Sequence, residues 1–204
     1  MSVEQIKGRF GDNYAYVVGD EKTKEGIVID PSGLTDNILA HLRKEGLKIV
    51  YIFNTHGHSD HTGGNTELAR ETGAVVVKHA GSAGADVLAV NDGDSLRFGE
   101  MEAKIIHTPG HSADSISILV GKSLFTGDTL FINECGRTDL PGGSSEQLWD
   151  SLFHKIYELD DDVEVYPGHN YGPLPHDSLR NQKKNNYTLE RRTLEEFIKF
   201  MLEP

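Results

Sequence analysis

Between Phe53 and Gly64 the chain reads FNTHGHSDHTGG, which sets three imidazoles and a carboxylate within the six positions from His56 to His61. Solubility does not require that crowding, and a core cannot hold four polar heads unless something satisfies all of them. A cation does so. His56 and His58, two residues apart in a turning loop, can reach one ion. Asp60 and His61, further round the loop, can reach a second. The missing ligands are sought elsewhere: His111 in TPGHS, Asp128 in FTGDTLF and His169 in YPGHNY, each beside a glycine. His111 completes a three-nitrogen set with His56 and His58, His169 joins Asp60 and His61, and Asp128 has the oxygens to bridge the two. Imidazole and carboxylate suit zinc, iron or manganese, and the lack of thiolates argues against a closed structural zinc site. Isolated histidines such as His41, His79, His107, His154 and His176 read as ordinary surface or core groups.

These residues need elements to position them. KIVYIFNT is a continuous apolar run of the kind a buried strand shows, and it leads to His56. AKIIHTPG leads to His111, SLFTG to Asp128 and VEVYPG to His169, so four strands deliver ligands just past their ends, where sheet-based sites are usually assembled. YAYVVG and GIVIDP read as an early hairpin, and DSLRFGEMEAKIIHTPGH and SISILVGKSLFTGD as hairpins turning at glycines. LTDNILAHLRKEG carries Ile38, Leu39 and Leu42 on one helical face with Gly46 as its stop. NTELARETG reads as a short helix with a polar cap, followed by AVVVKH as a strand. Capping boxes open two further helices, Ser144 to Gln147 and Thr193 to Glu196.

Composition bounds the rest. With 204 residues, 37% of them hydrophobic, the chain suits one compact domain. A net charge of −12 and no long basic run argue against duplex nucleic acid as a partner. Arg180, Lys183, Lys184, Arg191 and Arg192 concentrate late and read as a solvated helix face, or as a small anion patch. No apolar run nears the roughly 18 residues of a membrane span. MSVEQIKGRF shows no signal-peptide core, and the single Cys135 suits a reducing compartment, so a cytoplasmic location is expected. An oligomer is left open.

The stretch Thr55-His56-Gly57-His58-Ser59-Asp60-His61 resembles the T-H-x-H-x-D-H motif of the metallo-β-lactamase superfamily, with His111, Asp128 and His169 where that superfamily has its later ligands. The resemblance spans nearly the whole chain and implies an α/β fold, a four-layer αββα sandwich with a dinuclear site on one edge. It also implies one domain over residues 1–204 with a short C-terminal helical extension. Within the superfamily, CGRTDLPGGSSEQLWDSLFHKIYELDDDVEVYPGHNYG is similar to the glyoxalase II group, the hydroxyacylglutathione hydrolases, and to their relatives the persulfide dioxygenases. True β-lactamases differ in carrying a cysteine where this chain has Asp128.

Two reactions follow from the resemblance. In the hydrolase, two divalent ions, zinc foremost, with Asp60 and Asp128 as catalytic carboxylates, generate hydroxide that attacks a small-molecule thioester. Arg137 and Tyr171 would contact a glutathione-type carrier. In the dioxygenase, one iron sits on His56, His111 and Asp128, with Cys135, Arg137 and Tyr171 as an outer hydrogen-bond network. GRTDLPGG followed by YPGH favours the hydrolase. Only about thirty residues follow Tyr171, fewer than the helical domain with which glyoxalase II enzymes grip glutathione.

Overall fold

Tyr14, Tyr16 and Val18 point into one hydrophobic cluster while Ala15 and Val17, between them, belong to another. A strand covered on both faces loses the usual polar alternation and reads as an unbroken apolar run. That strand sits in the middle of the layered architecture seen in the computed structural model, which describes residues 1–8, 12–33 and 35–202. The chain runs through β1 (Ser2–Lys7), β2 (Tyr14–Gly19), β3 (Glu25–Ile29), α1 (Thr35–Glu45), β4 (Lys48–Phe53), a single turn α2 (Ser59–Thr62), α3 (Asn65–Thr72), β5 (Val75–His79) and β6 (Leu88–Val90). These strands form one sheet in the order β1-β2-β3-β4-β5-β6. The second half continues with β7 (Ser95–Phe98), β8 (Met101–His107), β9 (Ile116–Val120), β10 (Ser123–Gly127), β11 (Leu130–Phe131), β12 (Glu134–Cys135), α4 (Ser145–Asp150), β13 (Glu164–Pro167), β14 (Asp177–Ser178), α5 (Leu179–Asn185) and α6 (Leu194–Leu202). Its main sheet has the order β14-β13-β10-β9-β8-β7, and β11 pairs with β12 alone.

The two large sheets face each other across a core that takes Tyr16, Ile27, Ile29 and Phe53 from the first and Phe98, Ile105, Ile118 and Phe125 from the second. Outside the first sheet, Val17, Val28 and Ile52 pack against Ile38 and Leu42 of α1 and Leu68 of α3. Outside the second, Leu124 and Val165 pack against Leu148, Leu152, Leu179 and Phe197 from the helices that follow. The result is the four-layer αββα sandwich expected. Each fully buried Ile or Phe contributes roughly 1.5–3 kcal/mol, so the interior between the sheets is the main stabilising term and holds their edges in register.

Most of the expected elements form where the sequence places them. Gly46 ends α1 with φ 66°, and Leu34, the first residue of the expected helix, lies outside the described residues. Ser144 accepts a hydrogen bond from Gln147 N at 3.2 Å, and Thr193 and Glu196 cap each other, 2.8 Å and 3.3 Å. The polar cap expected for NTELARETG is not formed. Gly64 takes the cap position, and the Asn65 side chain instead exchanges amide hydrogen bonds with Asn54, at 2.6 and 3.1 Å. No helix among the described residues is long and apolar enough to cross a membrane.

Candidate metal centre

Parallel pairing sends β3, β4 and β5 the same way in one sheet and β10 and β13 the same way in the other. Their C-terminal ends meet on one edge, where Ile116 N donates to Thr55 O (2.7 Å), Tyr14 N to Gly168 O (2.8 Å) and Gly168 N to Gly127 O (2.8 Å). His56 lies three residues past β4, Asp128 directly follows β10 and His169 lies two past β13. His58 O accepts from His61 N and Thr62 N, which coils α2 and turns Asp60 and His61 back toward the edge. Gly168 is required by this convergence: a Cβ there would overlap Asp128 Oδ1 and stand 2.9 Å from His61 Cε1.

The structure brings all seven expected ligands together. His58 Nδ1 is 2.9 Å from His56 Nε2 and 3.1 Å from His111 Nε2. His61 Nε2 is 3.2 Å from His169 Nε2, 3.3 Å from Asp128 Oδ1 and 3.5 Å from Asp60 Oδ2. Asp128 Oδ2 reaches His169 Nε2 at 3.2 Å and His111 Nε2 at 3.6 Å. Three overlapping sets result: His56, His58 and His111; His56, His61 and Asp128; and Asp60, His61 and His169.

Hydrogen bonds behind the ligands fix which ring nitrogens face inward. Asp30, immediately after β3, accepts from Thr55 N (2.8 Å), Thr55 Oγ1 (2.6 Å) and His61 Nδ1 (2.9 Å). The Thr55 hydroxyl, having given its proton to Asp30, accepts from His56 Nδ1 at 3.1 Å. His111 Nδ1 donates to Arg137 O at 2.9 Å. His56, His61 and His111 therefore each turn an Nε2 lone pair to the centre, the tautomer a metal ligand needs. Asp30 was not among the residues the sequence singled out. Its signal was present, a carboxylate closing the strand run GIVID as Asp128 closes SLFTGD. Asn13, also unforeseen, donates from Nδ2 to Asp60 Oδ2 at 3.0 Å.

The electrostatics fit a cation. Burial disfavours charge on His61, but Asp30, Asp128 and Asp60 outweigh it and raise its pKa to about 9. Burial, with His61 nearby, depresses His56 to about 3. Burial pushes the Asp128 carboxyl up, yet His61 and His169 hold it well below the usual carboxylate range. Asp128 Oδ1 is buried without a hydrogen-bond partner. A buried carboxylate oxygen without a hydrogen-bond partner, set among imidazole nitrogens, fits a divalent ion.

Of the residues expected around the metals, Tyr171 and Arg137 lie at the rim and Cys135 turns away. Tyr171 stacks on His169, ring centres 4.9 Å apart and planes nearly parallel, and is exposed at the rim. Arg137 is also exposed, and its guanidinium is held by Asp139 through two 2.5 Å bonds. Cys135 does not join them. Its side chain turns into the helix-covered cluster against Met201, Sγ to Sδ 3.9 Å, where burial pushes the thiol up to about 12. The late basic cluster is partly spent internally: Lys183 pairs with Asp161 and Arg192 with Glu190.

A family model described as the metallo-beta-lactamase superfamily matches residues 8–87 and 84–169. The chain belongs to that superfamily. It is 43% identical over 177 residues to the hydroxyacylglutathione hydrolase of Rhodospirillum rubrum, covering 84% of this chain and 67% of that protein. It is 35% identical over 193 residues to the mitochondrial persulfide dioxygenase ETHE1 of Homo sapiens, covering 92% of this chain and 75% of the other. The crystal structure of ETHE1 from Myxococcus xanthus matches with a TM-score of 0.94 at 35% identity, over 100% of this chain and 92% of that one.

Proposed function

We propose that this chain is a thioester hydrolase of the glyoxalase II type that works with two divalent metal ions, zinc by preference. The observation that supports the reading is that two ligand sets lie side by side, with the Asp128 Oδ2 atom 3.6 Å from His111 Nε2 of one and 3.2 Å from His169 Nε2 of the other. His56, His58 and His111 would hold one ion, Asp60, His61 and His169 the other, and the Asp128 carboxylate would join them. Ions held there would supply hydroxide at neutral pH, since a bound metal lowers the pKa of water from about 15.7 to about 7, and would polarise the acyl carbonyl.

The chain's own residues do the rest. Asp60, half-exposed and hydrogen-bonded by Asn13, is placed to hold the proton of the attacking water. In the hydrolysis, that water's oxygen joins the acyl carbon and the C–S bond breaks. The sulfur leaves as a thiolate whose conjugate acid has a pKa of about 8.5, so no dedicated general acid is needed. Arg137 and Tyr171, both exposed at the rim, would orient an anionic carrier such as glutathione.

The likeness to the ETHE1 proteins supports a second reading, oxidation of a glutathione persulfide on one iron held by His56, His111 and Asp128. That reading leans on Cys135 as part of an outer network, and Cys135 is buried against Met201 instead. His58 separates the two. Purified and metal-loaded His58→Ala should lose two or more orders of magnitude in kcat on S-lactoylglutathione. Near-normal turnover by that variant would contradict the two-ion hydrolase.

A further inference from the structure

Two of the ligands in the second set, Asp60 and His169, are tied to the same residue. Asn13 precedes β2, is 3% exposed, and forms an isolated antiparallel bridge with His169. Its neighbours tighten that bridge: Tyr14 N donates to Gly168 O and Asn170 N to Asp12 O, at 2.8 and 2.7 Å. From this pinned backbone the Asn13 side chain reaches α2, where Nδ2 lies 3.0 Å from Asp60 Oδ2 and 3.4 Å from Asp60 O. A carboxylate only accepts, so the amide must present its NH2 group and not its oxygen.

Asp60 needs such a partner more than the other ligands do. Its side chain is 40% exposed, whereas those of His61, Asp128 and His169 are 9% exposed or less. Besides its own backbone N–H, its carboxylate faces the imidazoles of His61 and His169, both at 3.5 Å. A half-exposed Asp on a one-turn helix otherwise has rotamers pointing to water. The first set is supported independently, His56 by Thr55 and His111 by Arg137 O.

We propose that Asn13 is the positioning residue for the second metal ion, fixing the Asp60 carboxylate so that this chain holds two ions and not one. The inference rests on the two-ion reading above and adds the group that controls occupancy of the weaker site. The backbone bridge to His169 needs no side chain, so truncating Asn13 releases Asp60 and leaves His169 in place.

The test is zinc binding by the full chain, stripped with a chelator and retitrated with Zn2+ against a chromophoric competitor, with metal counted per chain after dialysis. Wild type should take up two ions. Asn13→Ala should keep the first affinity and weaken the second by roughly 10–100-fold, the usual effect of losing a group behind a metal ligand. Asn13→Leu, which keeps the branched shape at a larger volume but has no donor, should behave alike. Either variant binding both ions with wild-type affinity overturns the proposal. So does a variant that melts cooperatively yet loses both ions together. A wild type that takes up a single ion contradicts the two-ion reading itself and removes the inference with it.

Discussion

Arg137 carries its charge at the rim of the site, paired to Asp139 with both partners more than 60% exposed. Exposed ion pairs contribute about 0–1 kcal/mol, so a substrate carboxylate can replace Asp139 at small net cost and gain the same planar fork. Arg137→Ala should raise KM for S-lactoylglutathione several-fold with a smaller change in kcat. Asp139→Asn, which frees the guanidinium, should lower that KM. A small neutral thioester is the control, and equal effects on both substrates would mean that Arg137 supports its loop and does not read the carrier. At this scale the seven ligands were legible because four cluster in one loop and the other three each follow a glycine. Asp30 and Asn13 were not. Each is one common polar residue, and its importance comes from a partner distant in sequence: His61 is 31 positions from Asp30, and Asp60 is 47 from Asn13.

The elements divide the same way. Hairpins that turn at Gly99 and Gly121 and strands buried on both faces announce themselves through glycine and unbroken apolar runs. The edge strands β1 and β6 do not, because an edge strand is half-exposed and its pattern is mixed, as in SVEQIK. The capless start of α3 was misread because Asn65 looks like a cap until Asn54 is brought beside it. At the edge opposite the metals, the turn after β2 is tied to the β7–β8 hairpin by one carboxylate. Asp20 accepts from Glu100 N (2.7 Å), Lys22 N (2.9 Å) and Thr23 Oγ1 (2.9 Å). Those bonds, Glu100 N foremost, lower its pKa to about 2. A depressed carboxylate stabilises the fold above its unfolded value of about 3.9 and loses that contribution as pH falls through about 2. Asp20→Ala should therefore melt below wild type at pH 7, with the gap closing as pH is lowered from about 4 to about 2. A gap that stays constant across that window would assign the effect to packing and not to the ionised carboxylate.

For the whole molecule, the site is a property of the sandwich. The first sheet supplies His56, His58, Asp60 and His61, the second supplies His111, Asp128 and His169, and the shared core holds the two edges together. Strand patterns made the elements legible and the family resemblance their layered order, whereas the reaction was not legible, since the three ligands of the dioxygenase reading lie within the seven of the hydrolase reading on the same fold. Turnover with oxygen excluded separates them most directly. Wild-type protein loaded with zinc should release free thiol from S-lactoylglutathione anaerobically, at the same rate as in air, and should consume no oxygen when given glutathione persulfide. Oxygen uptake on the persulfide by iron-loaded protein, with the thioester left intact, would contradict the account.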